Sequence, residues 1–256
     1  MKKSLIDKQA VIRNFSKAAR TYDKYADIQK QAARELVSRI PENGFCNILE
    51  IGCGTGIYTR LLRERFPCAS LKAVDISCEM VKVAKARLKD AKIAFIVADA
   101  EKALSGSAYD LITSNACFQW FEDLQKALLK YRDKLKSGGM LSFTVFGPKT
   151  FWELSEVFKT AFPDTRLAAA QFDSQEKLNS LLEKDFKDVA IDEIRYCEKF
   201  DSLRDLLEKI KHTGTSGHGN EFLGPKCFKD LEKVYQEKFG RIQATHQVFF
   251  CHCHKP

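Results

Sequence analysis

A doubly wound α/β sheet is the fold this sequence predicts, and three observations predict it. A short apolar run, Asn47–Ile51, enters a turn carrying Gly52, Gly54 and Gly56 and then resumes as a helix-like stretch. Strand-like and helix-like segments alternate from there to position 146. The stretch 140–146 is a continuous apolar run, the kind that is buried on both faces of a parallel sheet. With 256 residues, 45% of them hydrophobic, the chain is long enough for one large core.

The region 5–40 reads as helical, though through the mixed aromatics and cations of 15–26 it need not be one continuous helix. Ile6, Val11, Ile12 and Phe15 make one apolar face, and Ala32, Ala33, Leu36, Val37 and Ile40 make another. Pro41 and Gly44 end it. Strand 47–51 follows, then a helix over 58–66 stopped by Pro67, then strand 70–76. Ser77 is placed to cap a helix running to 88. Strands are expected at 93–97 and 109–114, a helix at 124–135 stopped by Gly138 and Gly139, and strand 140–146. Beyond Pro148 the alternation loosens. Helices at 151–162, 174–183, 202–211 and 226–239 surround a loop at 163–172, strands at 189–196 and 245–253, and a glycine-rich loop at 212–220.

Lys and Arg exceed Asp and Glu by eight, which favours an acidic partner without naming one. No basic block interleaved with aromatics stands out, so nucleic acid is not favoured. No apolar run is long enough for a bilayer, and the basic N-terminus has no apolar core behind it. A soluble cytoplasmic protein, with no membrane anchor, is the expectation. The nine cysteines are scattered without a Cys-x-x-Cys pair and read as reduced, packed thiols. The tail Cys251, His252, Cys253, His254 resembles a metal site in composition only. On a strand the two cysteines face one side and the two histidines the other, so no metal is expected.

In an open α/β sheet, ligands sit at the carboxyl ends of the strands. The first strand ends in Glu50 and the glycine turn, and the second in Asp75 and Ile76. Asp99 and Ala100 follow the third, and Asn115 follows the fourth. An acid at position 75 suits the two hydroxyls of a ribose, since a carboxylate accepts from both. The spacing Gly-x-Gly-x-Gly after Glu50 differs from the Gly-x-Gly-x-x-Gly of dinucleotide sites. It resembles the first motif of class I S-adenosylmethionine-dependent methyltransferases, whose cofactor carries a cationic sulfonium rather than a phosphate.

That resemblance implies S-adenosyl-L-methionine as cofactor and a seven-stranded, mostly parallel Rossmann-like sheet. The seventh strand would run antiparallel between the fifth and sixth. It also implies cofactor-binding roles for Glu50, Gly52, Gly54, Gly56, Asp75, Ile76, Asp99, Ala100 and Asn115. Asp99 would face the adenine amino group and Asn115 the methionine part. The organisation expected is a single domain, with a helical lid over 1–43, a cofactor half over 44–147 and an acceptor half over 148–256.

Three further stretches carry a narrower resemblance. These are 14–26, with Arg20, Tyr22 and Tyr25; 115–120 together with 143–147 and 151–154; and 210–214. They are similar to the malonyl-acyl carrier protein O-methyltransferases of biotin synthesis. The segment 212–219 departs from that pattern in its extra glycine and histidine. The resemblance implies methylation of the free carboxylate of a malonyl thioester on acyl carrier protein, an acidic partner that gives the basic excess a purpose. A carboxylate is already ionised and needs no general base. Arg20 and Lys211 are the candidates to orient it, with Tyr22 closing over the cofactor. Two other readings stand beside this one. A methyltransferase of the same fold could act on a small acceptor such as aconitate or a quinone. A non-catalytic partner subunit would be expected to have lost the glycine motif or Asp75, and both are present.

Overall fold

The computed structural model describes residues 7–42, 44–89, 91–102, 106, 108–161, 167–213 and 225–256. The predicted loop 212–220 therefore lies, from 214 onward, outside the described residues.

Seven strands form one sheet: β1 (Asn47–Ile51), β2 (Ser70–Asp75), β3 (Ile93–Val97), β4 (Tyr109–Asn115), β5 (Leu135–Phe146), β6 (Lys187–Phe200) and β7 (Ile242–His254). Their spatial order is β3-β2-β1-β4-β5-β7-β6. β1 to β5 pair in parallel, and β7 runs antiparallel to both β5 and β6. This is the class I methyltransferase topology that the sequence resemblance implied.

Side-chain alternation along β1 sorts the two layers. Ile48 packs on one face with Leu36 of helix α3 (Asp27–Arg39) and Leu62 of α4 (Ile57–Arg65). Leu49 and Ile51 pack on the other face with Tyr131 of α6 (Leu124–Lys134) and Leu178 of α8 (Gln175–Leu182). Helix α5 (Cys78–Arg87) begins where β2 ends, and Ser77 caps it by accepting from the Met80 N–H at 3.2 Å. A third cluster joins α7 (Trp152–Ala161), α9 (Leu203–His212) and α10 (Pro225–Phe239) to the start of β7 through Leu154, Leu206, Tyr235 and Ala244.

The structure sharpens the sequence reading at the N-terminus and differs from it in β5 and in the lengths of β6 and β7. The expected N-terminal helical region is three helices, α1 (Lys8–Ala18), α2 (Tyr22–Tyr25) and α3. Ala26, at φ −87° and ψ 43°, leaves the helical region and breaks the rod between α2 and α3. β5 starts at Leu135, five residues before the apolar run. Gly138, at φ +71°, and a register shift between Tyr109 and Leu111 make a bulge where the glycines were expected to stop a helix. β6 and β7 are 14 and 13 residues long, because they stay paired as an antiparallel ribbon beyond Val248, where β7 no longer pairs with β5. At the chain end Cys251 and Cys253 are buried in the core, whereas His252 faces away and bonds the Ser142 hydroxyl through Nδ1 at 3.0 Å. Among the described residues no helix is long and apolar enough to cross a membrane.

Candidate active site

The glycine turn after β1 is built for close approach. Gly52, Gly54 and Gly56 all have positive φ, at +73°, +53° and +87°. A Cβ on Gly52 would lie 2.4 Å from Cys117 Sγ and 2.5 Å from its Cβ, so only glycine fits against the turn after β4. Asp75 braces the same turn. Its Oδ2 accepts the Gly54 N–H and its Oδ1 the Ser77 N–H, each at 2.8 Å. Burial pushes the Asp75 carboxyl above its ordinary value, against the pull of those backbone bonds. Each oxygen keeps a free lone pair for a ligand hydroxyl.

A cleft with about 750 Å³ of open space lies along the carboxyl ends of β1, β2, β3 and β4. Gly52, Gly54, Asp75 and Ile76 line one end of it. Asp99 and Ala100 line another side, and Asn115 and Cys117 the floor near β4. Val11 and Phe15 of α1 and Tyr22 of α2 roof it, while Trp120 and Phe121 form the far wall. The rings of Phe15 and Trp120 meet edge to face at 5.9 Å.

Three polar ties hold that roof down. Lys8 Nζ donates to both Asp99 carboxylate oxygens, at 2.8 and 2.9 Å, and also to Glu101 Oε2. Ser16 and Ser77 share a hydroxyl bond of 2.9 Å. Asp23 accepts from the Thr55 hydroxyl of the glycine turn and pairs with Arg87 of α5. Burial alone would raise the Asp99 pKa, but the Lys8 bonds hold it below the ordinary carboxylate value.

The structure brings Gly52, Gly54, Asp75, Ile76, Asp99, Ala100, Asn115 and Tyr22 to this one cleft. It does not bring the other four expected residues to its lining. Glu50 is fully buried, on the β1 face that turns toward α3 and α4, and neither carboxyl oxygen has a hydrogen-bond partner. Burial pushes its pKa up to about 8; the Asp75 charge adds to this and the Thr59 hydroxyl only partly offsets it. Gly56 lets α5 approach the turn, since a Cβ there would meet Leu88 at 3.0 Å and Ala84 at 3.3 Å. Arg20 and Lys211 are exposed on the outside of the roof. Asn115 lines the cleft, yet its side chain is committed: Nδ2 donates to Gln29 O at 3.1 Å, and Oδ1 accepts from the Thr144 hydroxyl at 2.8 Å.

One polar lining residue, Lys8, escaped the sequence reading. Lys8 is 91 positions from Asp99, so nothing local pairs them. Cys117 follows Ala116, whose φ of +54° turns the chain back under Gly52. The short helical turn Phe118–Trp120 was visible only as an aromatic cluster.

Comparison with known proteins agrees with this geometry. The family described as Methyltransferase domain matches residues 49–143. The YcgJ protein from Bacillus subtilis has a TM-score of 0.63 at 15% identity, covering 88% of this chain and 98% of its own. A SAM dependent methyltransferase from Archaeoglobus fulgidus has a TM-score of 0.57 at 21% identity, covering 92% and 98%. At such identities these two share the fold. Sequence relatives are much nearer. A malonyl-[acyl-carrier protein] O-methyltransferase from Ilyobacter polytropus is 38% identical over 96% of this chain and 94% of its own length. Another from Anoxybacillus flavithermus is 37% identical over 98% of both. The chain belongs to the malonyl-[acyl-carrier protein] O-methyltransferase family.

Proposed function

We propose that this chain transfers the methyl group of S-adenosylmethionine to the free carboxylate of a malonyl thioester on acyl carrier protein, in the cytoplasm. The product is the malonyl methyl ester, the neutral starter of the pimeloyl chain in biotin synthesis. The observation that carries the proposal is the roofed cleft, with a glycine turn and Asp75 at one end and aromatic walls at the other, in a chain similar over nearly its whole length to enzymes of that name.

The residues fit the cofactor. Gly54 leaves open space where a Cβ would stand, and Asp75 offers free lone pairs at the end of β2. When bound, the cofactor supplies an electrophilic methyl on a sulfonium. Gly54 and Asp75 would hold it so that its methyl could pass from sulfur, which would keep the C–S electron pair, to a carboxylate oxygen. Nothing needs deprotonating, because malonate is ionised at neutral pH.

The work of the chain is alignment and exclusion of water. Burial, with nearby acids, holds the Tyr22 phenol and the Cys117 thiol well above their ordinary pKa values, so both stay protonated. Tyr22 is thus a neutral donor in the roof, free to meet a carboxylate without quenching its charge. Phe15, Trp120 and Phe121 keep the walls apolar.

The test is methyl transfer from labelled S-adenosylmethionine to malonyl-acyl carrier protein, with acetyl-acyl carrier protein and free malonate as controls. Label confined to the malonyl carrier protein, and released by mild alkali as an ester is, is the expected result. Label in free malonate alone makes this a small-acid methyltransferase instead.

A further inference from the structure

We propose that the outer face of the roof is the docking surface for the carrier protein, an acidic partner whose tethered thioester enters beneath it. This rests on the acceptor reading above. Helix α1 has two opposite faces of matched spacing. Val11 and Phe15, four apart, line the cleft. Arg13 and Lys17, also four apart, are displaced by two residues, roughly 200° around the helix, and are exposed. Arg20 continues the strip in the turn after α1, and Lys24 on α2. Helix α9 packs against both, with His212 stacked on Tyr25 at 4.5 Å and bonded to the Thr21 hydroxyl at 3.3 Å. That packing adds exposed Lys211 to the same surface.

These five cations are unlike several others on the surface. Arg60, Lys126, Lys159 and Lys233 each sit beside a carboxylate three or four residues away. Arg13, Lys17, Arg20, Lys24 and Lys211 have no ion pair among the described residues. The nearby acids are committed elsewhere: Asp23 to Arg87 and Thr55, Asp27 to Lys30 and Lys209, and Glu208 faces His212 at 3.7 Å. The roof therefore presents uncompensated positive charge on one side and the cleft wall on the other. Such a surface raises the encounter rate with an acidic protein and fixes its orientation. A partner held there delivers a flexible thioester arm past the edge of α1 and α2 into the cleft.

The test compares two charge-reversed enzymes of equal net charge. One is Arg13→Glu, Lys17→Glu, Lys24→Glu, on the roof. The other is Arg60→Glu, Lys126→Glu, Lys233→Glu, away from it. Each is assayed on malonyl-acyl carrier protein and on the malonyl thioester of N-acetylcysteamine, which has no protein to dock. The roof variant should lose at least about tenfold in kcat/KM on the carrier protein, with its salt dependence flattened. On the small thioester it should match wild type, and the distant variant should lose little on either. Equal losses in the two variants, or a loss by the roof variant on both substrates, overturn the docking surface while leaving the acceptor reading intact. Wild-type enzyme inactive on both malonyl thioesters overturns the acceptor reading and this proposal with it. Roof-dependent binding to anionic vesicles, with carrier-protein kinetics unchanged, would assign the strip to a membrane surface instead.

Discussion

Replacing Glu50 by glutamine isolates one buried proton. The carboxyl is fully enclosed, has no hydrogen-bond partner and has its pKa pushed up to about 8 from an ordinary 4.5. The folded protein therefore keeps this proton at pH values where the unfolded chain has released it. With more protons bound in the folded state, stability falls as pH rises. The contribution is fully present below about pH 4.5 and is lost as pH climbs through about 8. At about 1.4 kcal/mol per pH unit, the interval from pH 5 to 8 is worth roughly 4 kcal/mol. Glutamine has nearly the same shape and no proton to hold. It adds an amide whose burial without a partner costs about 1–3 kcal/mol, but that cost does not change with pH. The measurable quantity is the stability difference between variant and wild type, from urea unfolding at several pH values. Contributions of other titrating groups largely cancel in that difference. It should shift in favour of the variant by up to roughly 4 kcal/mol between pH 5 and 8. A difference constant to about 0.5 kcal/mol across that range refutes the reasoning. Glu50 would then be ionised in the folded chain, and its enclosure would need a partner.

Two further substitutions test the cleft. Gly52→Ala places a methyl group on Cys117 at a positive φ, so cofactor binding measured by calorimetry should fall below detection. Adding Cys117→Ala should not restore it, because the Cys117 Cβ itself lies 2.5 Å from the new atom; adding Cys117→Gly should restore part, and equal rescue by both would deny the clash. Lys8→Met keeps an unbranched side chain but removes the charge that ties the roof to Asp99 and Glu101 and lies over the Phe121 ring. Release of bound cofactor in stopped flow should quicken about tenfold, in line with the loss of one hydrogen-bonded charge, and an unchanged rate would show that α1 closes without this tie.

The parts of the fold read correctly from sequence were those with local causes. β1, the glycine turn and the Ser77 cap each announce themselves within a few residues. The antiparallel seventh strand is different: its alternation marks it as a strand, but its position between β5 and β6 came from resemblance. The β5 bulge was missed because Gly138 and Gly139 look like a helix stop, and only pairing with β4 shows that they keep the chain in the sheet. Long-range pairing outweighed local propensity there.

The site divides along the same line. Asp75 and Asp99 line the cleft because each stands at or just after the end of a strand, a place the sequence marks, and the sheet gathers such ends on one edge. The roof follows another rule. Lys8 meets Asp99 and Asp23 meets Arg87 only because α1 and α2 fold back over the sheet, and no spacing in the chain encodes either pair. Arg20 and Lys211 show the cost of reasoning from charge without position. A carboxylate acceptor invited a cation, and both candidates belong to helices that meet at the roof, yet both are exposed on its outside. The lining instead offers the protonated phenol of Tyr22, while the electropositive partner for a malonyl carboxylate would be the sulfonium itself. A fixed cation beside the nucleophile would compete with that attraction and weaken the attack. With Lys8, a cation of the lining, committed to Asp99 and Glu101, positive charge kept outside would meet an acidic carrier protein and leave the carboxylate free to react inside.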